Sequence, residues 1–339
     1  MKKLMLFLAL LTSFVAHAGF EEGLAAYDKK DYKTAFQEFL TLANQGNAKA
    51  QHKLGLMYFN GRGVAENSKE GISWIRKAAE QGDADAQAGL GSAYYNGSGL
   101  PRDFKDAFGW SRKAAEQGNA HSQYALGLMY FSGLGVPQDY KKALDWYRRA
   151  AEQGEAEAQY NLGWMFGNGQ GVPLDFKEAL FWLRKAADQG LPDAQTSVGR
   201  AYMSGRLGVP QDYSKALGWF RKAAKQQYPD AQNALGEMYR FGKGVPIDAK
   251  EGARWILLAA NQGLEEAQWQ IGQMYQNGEG VSPNYSEAAK WLRQAATQGN
   301  SGAQIFLGLT LPLDSVSHNR DHELACLASH SLSNCIGLT

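Results

Sequence analysis

The sequence predicts an all-α fold built from stacked helical hairpins. Seven tryptophans recur at a spacing of 36 residues, with one step of 37, and a glutamine recurs with the same spacing. Each copy also contains two helix-length segments joined by a Gly-rich turn. A fixed period of about 20–50 residues is typical of solenoids, in which each repeat packs on its neighbours. The tryptophans are Trp74, Trp110, Trp146, Trp182, Trp219, Trp255 and Trp291.

One repeat, residues 120–154, shows how a hairpin is specified. Leu126 and Tyr130 are four residues apart and therefore share one helical face. Gly133 is suited to end that helix, because glycine enters the left-handed conformation at little cost. Asp139 is a good N-cap for a second helix, whose apolar stripe includes Trp146. One hairpin cannot bury this stripe alone, so we expect neighbours to stack and to hide the tryptophans.

The chain is expected to contain four parts. Residues 1–18 have the basic start, apolar stretch and small-residue cleavage site of a signal peptide. Residues 19–46 are expected to form a capping helix pair, residues 47–299 the repeat array, and residues 300–339 a partial eighth repeat with a divergent tail. The array divides into units 48–82, 84–118, 120–154, 156–190, 192–227, 229–263 and 265–299.

Unit five departs from the pattern at two points. It has one additional residue at Arg206-Leu207, and Gln227 occupies a position where glycine is expected. A non-glycine residue in a left-handed conformation costs roughly 1 kcal/mol. We therefore expect a local change of twist between units five and six.

The repeated residues resemble the Sel-one-like repeat family, which is related to the tetratricopeptide repeat. The shared pattern is A-x-A-Q-x-x-L-G-x-x-Y, then G-x-G-V, D-Y/F-x-K-A, W and K-A-A-E-Q-G, in seven units. The resemblance implies a right-handed α/α superhelical solenoid whose first helices line a concave face. It also implies a scaffold for partner proteins. One branch with paired cysteines in every repeat has been linked to penicillin binding or hydrolysis. The array here contains no cysteine, so that activity is not expected.

Charge and hydropathy exclude two classes of partner. The chain has 35 Lys and Arg against 34 Asp and Glu, with no basic stripe, which argues against nucleic acid. No stretch after residue 18 is apolar enough to span a bilayer, so stable membrane insertion is not expected. Cleavage after Ala18 predicts a periplasmic or secreted protein, and no cysteine follows that site to carry a lipid anchor.

The sequence offers no recognisable catalytic centre or cofactor site. It has no G-x-S-x-G, H-E-x-x-H or phosphate-loop motif, and its G-x-G-V segments follow helices, not strands. One cluster in the tail has three readings: a zinc site, a Cys326–Cys335 disulfide, or chance spacing. Its residues are His318, His322, Cys326, His330 and Cys335. We expect no catalysis, cofactor or metal.

Positions that vary between repeats indicate where a partner would bind. On the first helices these positions fall on one face, opposite the Leu and Tyr stripe. We expect the aromatic members in units one to four to receive the apolar side of a peptide or helix, and the charged members in units five and six to orient it. The alternative is that the aromatic residues seal contacts between neighbouring first helices. The candidate residues are Phe59, Tyr95, Tyr124, Leu128, Phe131, Tyr160, Trp164, Arg200, Glu237 and Arg240.

The predicted function is that of an exported scaffold that binds proteins or peptides without catalysis. Two alternatives stay open: an envelope enzyme acting on peptidoglycan or β-lactams, and a secreted factor that engages host proteins.

Overall fold

A computed structural model describes residues 18–308 of the chain. This range folds into seventeen helices, with no β-strand among its residues. The first helices of successive hairpins are α1 (18–28), α3 (Ala48–Asn60), α5 (Ala84–Asn96), α7 (Ala120–Ser132), α9 (Ala156–Asn168), α11 (Pro192–Ser204), α13 (Pro229–Phe241), α15 (Glu265–Asn277) and α17 (Ser301–Phe306). The second helices are α2 (Tyr32–Asn44), α4 (Ser68–Glu80), α6 (Phe104–Glu116), α8 (Tyr140–Glu152), α10 (Phe176–Asp188), α12 (Tyr213–Lys225), α14 (Ala249–Asn261) and α16 (Tyr285–Thr297). The predicted α/α repeat fold is confirmed.

The helices form two compact blocks. The N-terminal block comprises the described residues up to Leu174, and the C-terminal block begins at Asp175. Within each block, every helix packs on the next one along the chain. Neighbouring first helices also touch: α7 contacts both α5 and α9 in the N-terminal block. The first helices of that block therefore share one layer.

The turns and caps follow from local sequence. Gly133 ends α7 with a left-handed φ of 70°, and its N–H donates to the Met129 carbonyl. Asp139 caps α8, since its carboxylate accepts a 3.0 Å hydrogen bond from the Lys142 N–H. Both predictions for residues 120–154 are confirmed.

The tryptophans are less buried than expected. Trp74, Trp182 and Trp291 are buried, but the other four are half-buried. In each second helix the residue after the tryptophan is the enclosed one: Ile75, Ser111, Tyr147, Leu183, Phe220, Ile256 and Leu292. The expectation that all seven tryptophans are hidden is wrong for four of them.

The reason lies in how the two helices of a hairpin meet. The residue after the tryptophan faces a glycine of the first helix; a Cβ added to Gly55 would lie 2.6 Å from Ile75 Cγ1. The indole sits at the edge of this contact, where a cation covers it. Lys113 Nζ, for example, lies 3.9 Å from the centre of the Trp110 ring. The centre of the core is therefore the contact between the glycine of the first helix and the residue that follows the tryptophan in the second helix.

The N-terminal helix pair obeys the same rule. Glu38 occupies the position equivalent to the tryptophan, and the next residue, Phe39, has no exposed surface. A Cβ on Gly23 would lie 2.7 Å from the Phe39 ring. This pair is thus a hairpin of the same kind, although its sequence lacks the tryptophan.

The recurrent glutamines join each hairpin to the one before it. Gln51 Nε2 donates to the Ala43 carbonyl at the end of α2 (3.1 Å), and Gln81 Nε2 donates to Gln51 Oε1 (2.7 Å). Because a buried amide must be hydrogen-bonded, this arrangement explains why glutamine is retained. The same side-chain pair recurs as Gln87–Gln117, Gln123–Gln153, Gln195–Gln226, Gln232–Gln262 and Gln268–Gln298.

Unit five contains two non-glycine residues in the left-handed conformation, and the change of twist between units five and six stays a prediction. Leu207 and Gln227 adopt left-handed φ values of 57° and 63°. Residues 1–17, which contain most of the predicted signal peptide, lie outside the described residues. Residues 309–339 also lie outside them, and so does the tail cluster of His318, His322, Cys326, His330 and Cys335. No helix among residues 18–308 is long and apolar enough to cross a bilayer.

Candidate functional site

A pocket of about 250 Å³ lies between α7 and α9 in the N-terminal block. It includes four of the residues that the repeat comparison selected from sequence: Leu128, Phe131, Tyr160 and Trp164. The other four lining residues are Ser132, Tyr147, Asn161 and Met165.

The walls of the pocket are aromatic and held in place by packing. The Phe131 and Trp164 rings meet edge to face, with 5.9 Å between centroids. On its other side Phe131 contacts the Tyr140 ring at 5.2 Å, so its position is fixed from both sides. Trp164 is 40% exposed, which is unusual for so large an apolar side chain. The pocket is therefore lined by a tryptophan that protein atoms leave partly exposed.

The floor of the pocket is polar and buried. Tyr147 is 1% exposed and its ring centroid lies 6.0 Å from that of Tyr124. Burial raises the pKa of Tyr147 well above its ordinary value, and burial followed by the charge of Glu157 raises the pKa of Tyr124. Asn161 acts in the opposite direction and lowers the pKa of both tyrosines. Tyr147 stays neutral, so with Asn161 it gives the floor hydrogen-bonding groups without charge.

The size of the pocket indicates what it can hold. Sites for small molecules and cofactors have volumes of about 300–1,000 Å³. At about 250 Å³ this pocket falls below that range, and it suits one large side chain. Its apolar walls and polar floor fit an aromatic side chain with a hydrogen-bonding group.

Three other aromatic residues from the sequence prediction lie outside the pocket. Phe59 packs over Gly71, where an added Cβ would lie 2.8 Å from Phe59 Cδ2. Tyr95 contacts the Phe104 ring with 5.4 Å between centroids. Tyr124 packs on Tyr147. All three are half-buried and support neighbouring helices in the N-terminal block.

The predicted charged residues lie in the C-terminal block and already have partners. Arg200 Nη2 is 2.7 Å from Asp230 Oδ1. The Arg240 guanidinium donates two hydrogen bonds of 2.5 Å to the Glu279 carboxylate. Glu237 accepts a 2.7 Å hydrogen bond from Gln270 Nε2. A ligand of these three side chains would have to compete with interactions inside the block.

Sequence reasoning missed Tyr147 and Asn161. Tyr147 follows Trp146 on the second helix, and only first-helix positions were searched. A signal was present, because the other repeats have Ile, Ser, Leu or Phe at this buried position. Tyr147 is therefore the one tyrosine at this position among the seven repeats, and it brings a phenol hydroxyl to the hairpin core.

Titratable groups in the described part of the chain do not form a metal site. Among residues 18–308, no group of three or more His, Cys, Asp or Glu side chains is placed to hold a metal ion. His52 lies 3.7 Å from Asp83 and His121 lies 3.4 Å from Glu155. Burial lowers the pKa of His52, while Asp83 and Asp85 act in the opposite direction.

Comparison with known proteins identifies the repeat. The Sel1 repeat model matches seven consecutive segments: 48–83, 84–119, 120–155, 156–191, 192–228, 229–264 and 265–300. This chain belongs to the Sel1 repeat family. Sel1 repeat proteins have a scaffold type of fold suited to protein–protein interaction, and the predicted family is confirmed.

Several solved Sel1 repeat structures are similar to this chain. A Sel1 repeat protein from Oxalobacter formigenes is 36% identical, with 86% of each chain covered and a TM-score of 0.66. A protective antigen of uropathogenic Escherichia coli with an SLR fold is 29% identical over 94% of this chain and 84% of that one (TM-score 0.39). A Sel1 repeat protein from Klebsiella pneumoniae is 25% identical over 58% of this chain and 95% of that one (TM-score 0.40). Comparison with curated proteins gives no match.

Proposed function

We propose that this protein is an exported scaffold that binds a protein or peptide partner on the first-helix layer of the N-terminal block, without catalysis. The observation that carries the proposal is the pocket bounded by Phe131 and by the partly exposed Trp164. Aromatic side chains in well-packed, partly open pockets are the usual anchors of protein interfaces. Export to the periplasm or the medium, with cleavage after Ala18, rests on the sequence of residues 1–18.

The remaining predicted residues have a supporting part in this proposal. Phe59, Tyr95 and Tyr124 shape the layer around the pocket through their packing. Leu128 and Tyr160 supply further pocket surface. In the C-terminal block, Arg200, Glu237 and Arg240 form a charged surface that a partner reaches by exchanging internal pairs for intermolecular ones.

The alternative of an envelope enzyme needs a nucleophile beside a base. The pocket has hydroxyls on Ser132, Tyr147 and Tyr160, and no His, Lys, Asp or Glu among its lining residues. That composition favours binding. Turnover of nitrocefin or of peptidoglycan fragments by the purified protein would support the enzyme instead. A secreted factor that engages host proteins would use the same binding surface. The location of the mature protein, in the periplasm or in the medium, distinguishes this alternative from a periplasmic scaffold.

A display experiment tests binding at the pocket. A random 12-residue peptide library is selected on the wild-type protein and on the double variant Tyr160→Ala, Trp164→Ala. Tyr124 is left intact because it packs on buried Tyr147. We expect wild type to enrich peptides with a large aromatic residue, and the double variant to bind them at least 10-fold more weakly.

The matched control is the double variant Phe181→Ala, Tyr285→Ala, which removes two exposed aromatic side chains of the C-terminal block. It should bind the selected peptides as wild type does, and circular dichroism should show unchanged helix content in both variants. Equal binding by wild type and the pocket variant would refute the proposal. Mass measurement of the mature protein from the periplasm or the medium tests export, with Gly19 as the expected first residue.

A further inference from the structure

The start of α9, the helix that supplies Tyr160, Asn161 and Trp164 to the pocket, forms an acidic edge of two glutamates, Glu155 and Glu157. Glu157 is exposed and precedes Tyr160 by three residues on α9, so the two side chains share a helix face. Glu155 stands just before α9, and both carboxylates act on Tyr124 together with burial. His121 also lies at this end, with 6.3 Å between its ring centroid and that of Tyr124. The start of α9 therefore carries two acidic side chains on a helix that also lines the pocket.

Helix capping does not account for the Glu155 carboxylate. Asp83 and Asn119 cap α5 and α7 through side-chain hydrogen bonds to backbone N–H groups. Glu155 occupies the same position before α9 but makes no such bond. Its carboxylate instead lies 3.4 Å from His121 Nδ1, across to the neighbouring first helix. This carboxylate is turned along the first-helix layer and away from the end of its own helix.

The position of Glu157 sets a distance to the pocket. Glu157 and Trp164 are seven residues apart on α9, which corresponds to about 10 Å of helix rise. Tyr160 and Asn161, also in the pocket, are nearer to Glu157. An extended peptide advances about 3.3 Å per residue. A side chain in the pocket and one beside Glu157 would thus come from residues two or three positions apart.

Resting on the proposed function, we propose that the partner segment is a short extended peptide in which an aromatic side chain fills the pocket and a lysine or arginine two or three residues away pairs with Glu157. The aromatic ring matches the Phe131 and Trp164 walls and the cation matches the acidic edge. Charge complementarity of this kind contributes most to specificity and to association rate.

A charge-exchange experiment tests the inference separately from the proposed function. The library carries a fixed central tyrosine with all other positions random, and it is selected on wild type, on Glu157→Lys and on the control Glu152→Lys, which changes an exposed acidic residue at the end of α8. We expect wild type and the control to enrich Lys or Arg two or three residues from the tyrosine. Glu157→Lys should enrich Asp or Glu there. A basic peptide selected on wild type should lose about 10-fold in affinity on Glu157→Lys and keep its affinity on the control.

The other outcomes overturn the inference. If peptides bind and depend on Trp164 but show no charge preference that follows residue 157, the partner is not basic and the proposed function stands. If no peptide is enriched on wild type, both proposals fail. A synthetic peptide of residues 309–339 that outcompetes the selected peptides would identify the chain's own tail as the occupant. Dimerisation that is lost in Trp164→Ala would identify a second copy.

Discussion

The ring of Tyr147 lies against Gly127, so close that a Cβ placed on this glycine would overlap Cδ1 of the tyrosine. The glycine lets α8 approach α7, and the tyrosine fills the gap and extends to the floor of the pocket. The site and the core of this hairpin therefore share one contact. A change at Gly127 should disturb both.

Gly127→Ala should lower the free energy of unfolding by about 1–3 kcal/mol, because the added methyl overpacks this contact. The control is Gly109→Ala in α6, where an added Cβ meets no atom within 4 Å. That variant should be unchanged or more stable by about 0.5–1 kcal/mol, since alanine is the better helix former. Urea denaturation of the two variants measures the difference. Equal changes in the free energy of unfolding for the two variants would show that the packing of Tyr147 does not require a glycine at position 127.

Ile256→Ala should destabilise the protein more than Trp255→Ala, even though tryptophan is the larger residue. Ile256 has no exposed surface and would meet a Cβ on Gly236 at 2.5 Å, whereas Trp255 is half-buried beside Arg254. Truncation of a buried isoleucine costs about 2–5 kcal/mol. Thermal unfolding of the two variants gives the order. A larger decrease in Tm for Trp255→Ala than for Ile256→Ala would show that the tryptophan is the main core residue of this hairpin.

This order could not be obtained from spacing alone. The 36-residue period, the turn glycines and the aspartate caps predict the hairpins correctly, because they depend on local backbone chemistry. Tryptophan and the residue after it are 100° apart on the helix, and both lie near the apolar stripe. Which of them faces Gly236 is decided by how closely two helices approach, and that is a tertiary property.

Gln227→Gly should raise the stability of the C-terminal block by about 1 kcal/mol. Gln227 has a φ of 63°, a conformation that costs a side-chain-bearing residue about that amount. Gly263, which ends the next hairpin with a φ of 91° and open space around its Cβ position, provides the reverse test. Gly263→Gln should lower stability by a similar amount. Differential scanning calorimetry measures both, and shifts of the same sign would contradict the explanation.

His52 should make the N-terminal block sensitive to mild acid. Burial lowers its pKa in the folded state below the ordinary 6.5, so the unfolded chain binds the proton more readily. The stability that neutral His52 contributes is therefore present above about pH 6.5 and is lost as the pH falls from there toward the folded-state pKa. Wild type should lose more in Tm than His52→Gln between pH 7.5 and 5.5. His121→Gln, a change at an exposed histidine, should behave as wild type; identical losses in all three proteins would refute the prediction.

The sequence predicts four of the eight residues that line the candidate pocket. Comparing repeats selects Leu128, Phe131, Tyr160 and Trp164, since each varies at a position that the hairpin does not constrain. Comparison of the repeats does not select Tyr147, because this residue is buried in the hairpin core and its position is constrained by packing. A pocket floor made of a core residue becomes visible only when two helices are placed together.

The glutamine pairs have a consequence for how such a chain can change its length. Within each block, successive hairpins are joined by the same hydrogen bond, from a glutamine side-chain amide to a backbone carbonyl of the preceding hairpin. Gln51 donates to Ala43 in this way, and Gln87 donates to Ala79. Duplication or deletion of one 36-residue module therefore rebuilds an equivalent junction at the seam. Evolution can lengthen or shorten this protein in whole modules, and a pocket formed by two consecutive hairpins can be copied intact to a new location.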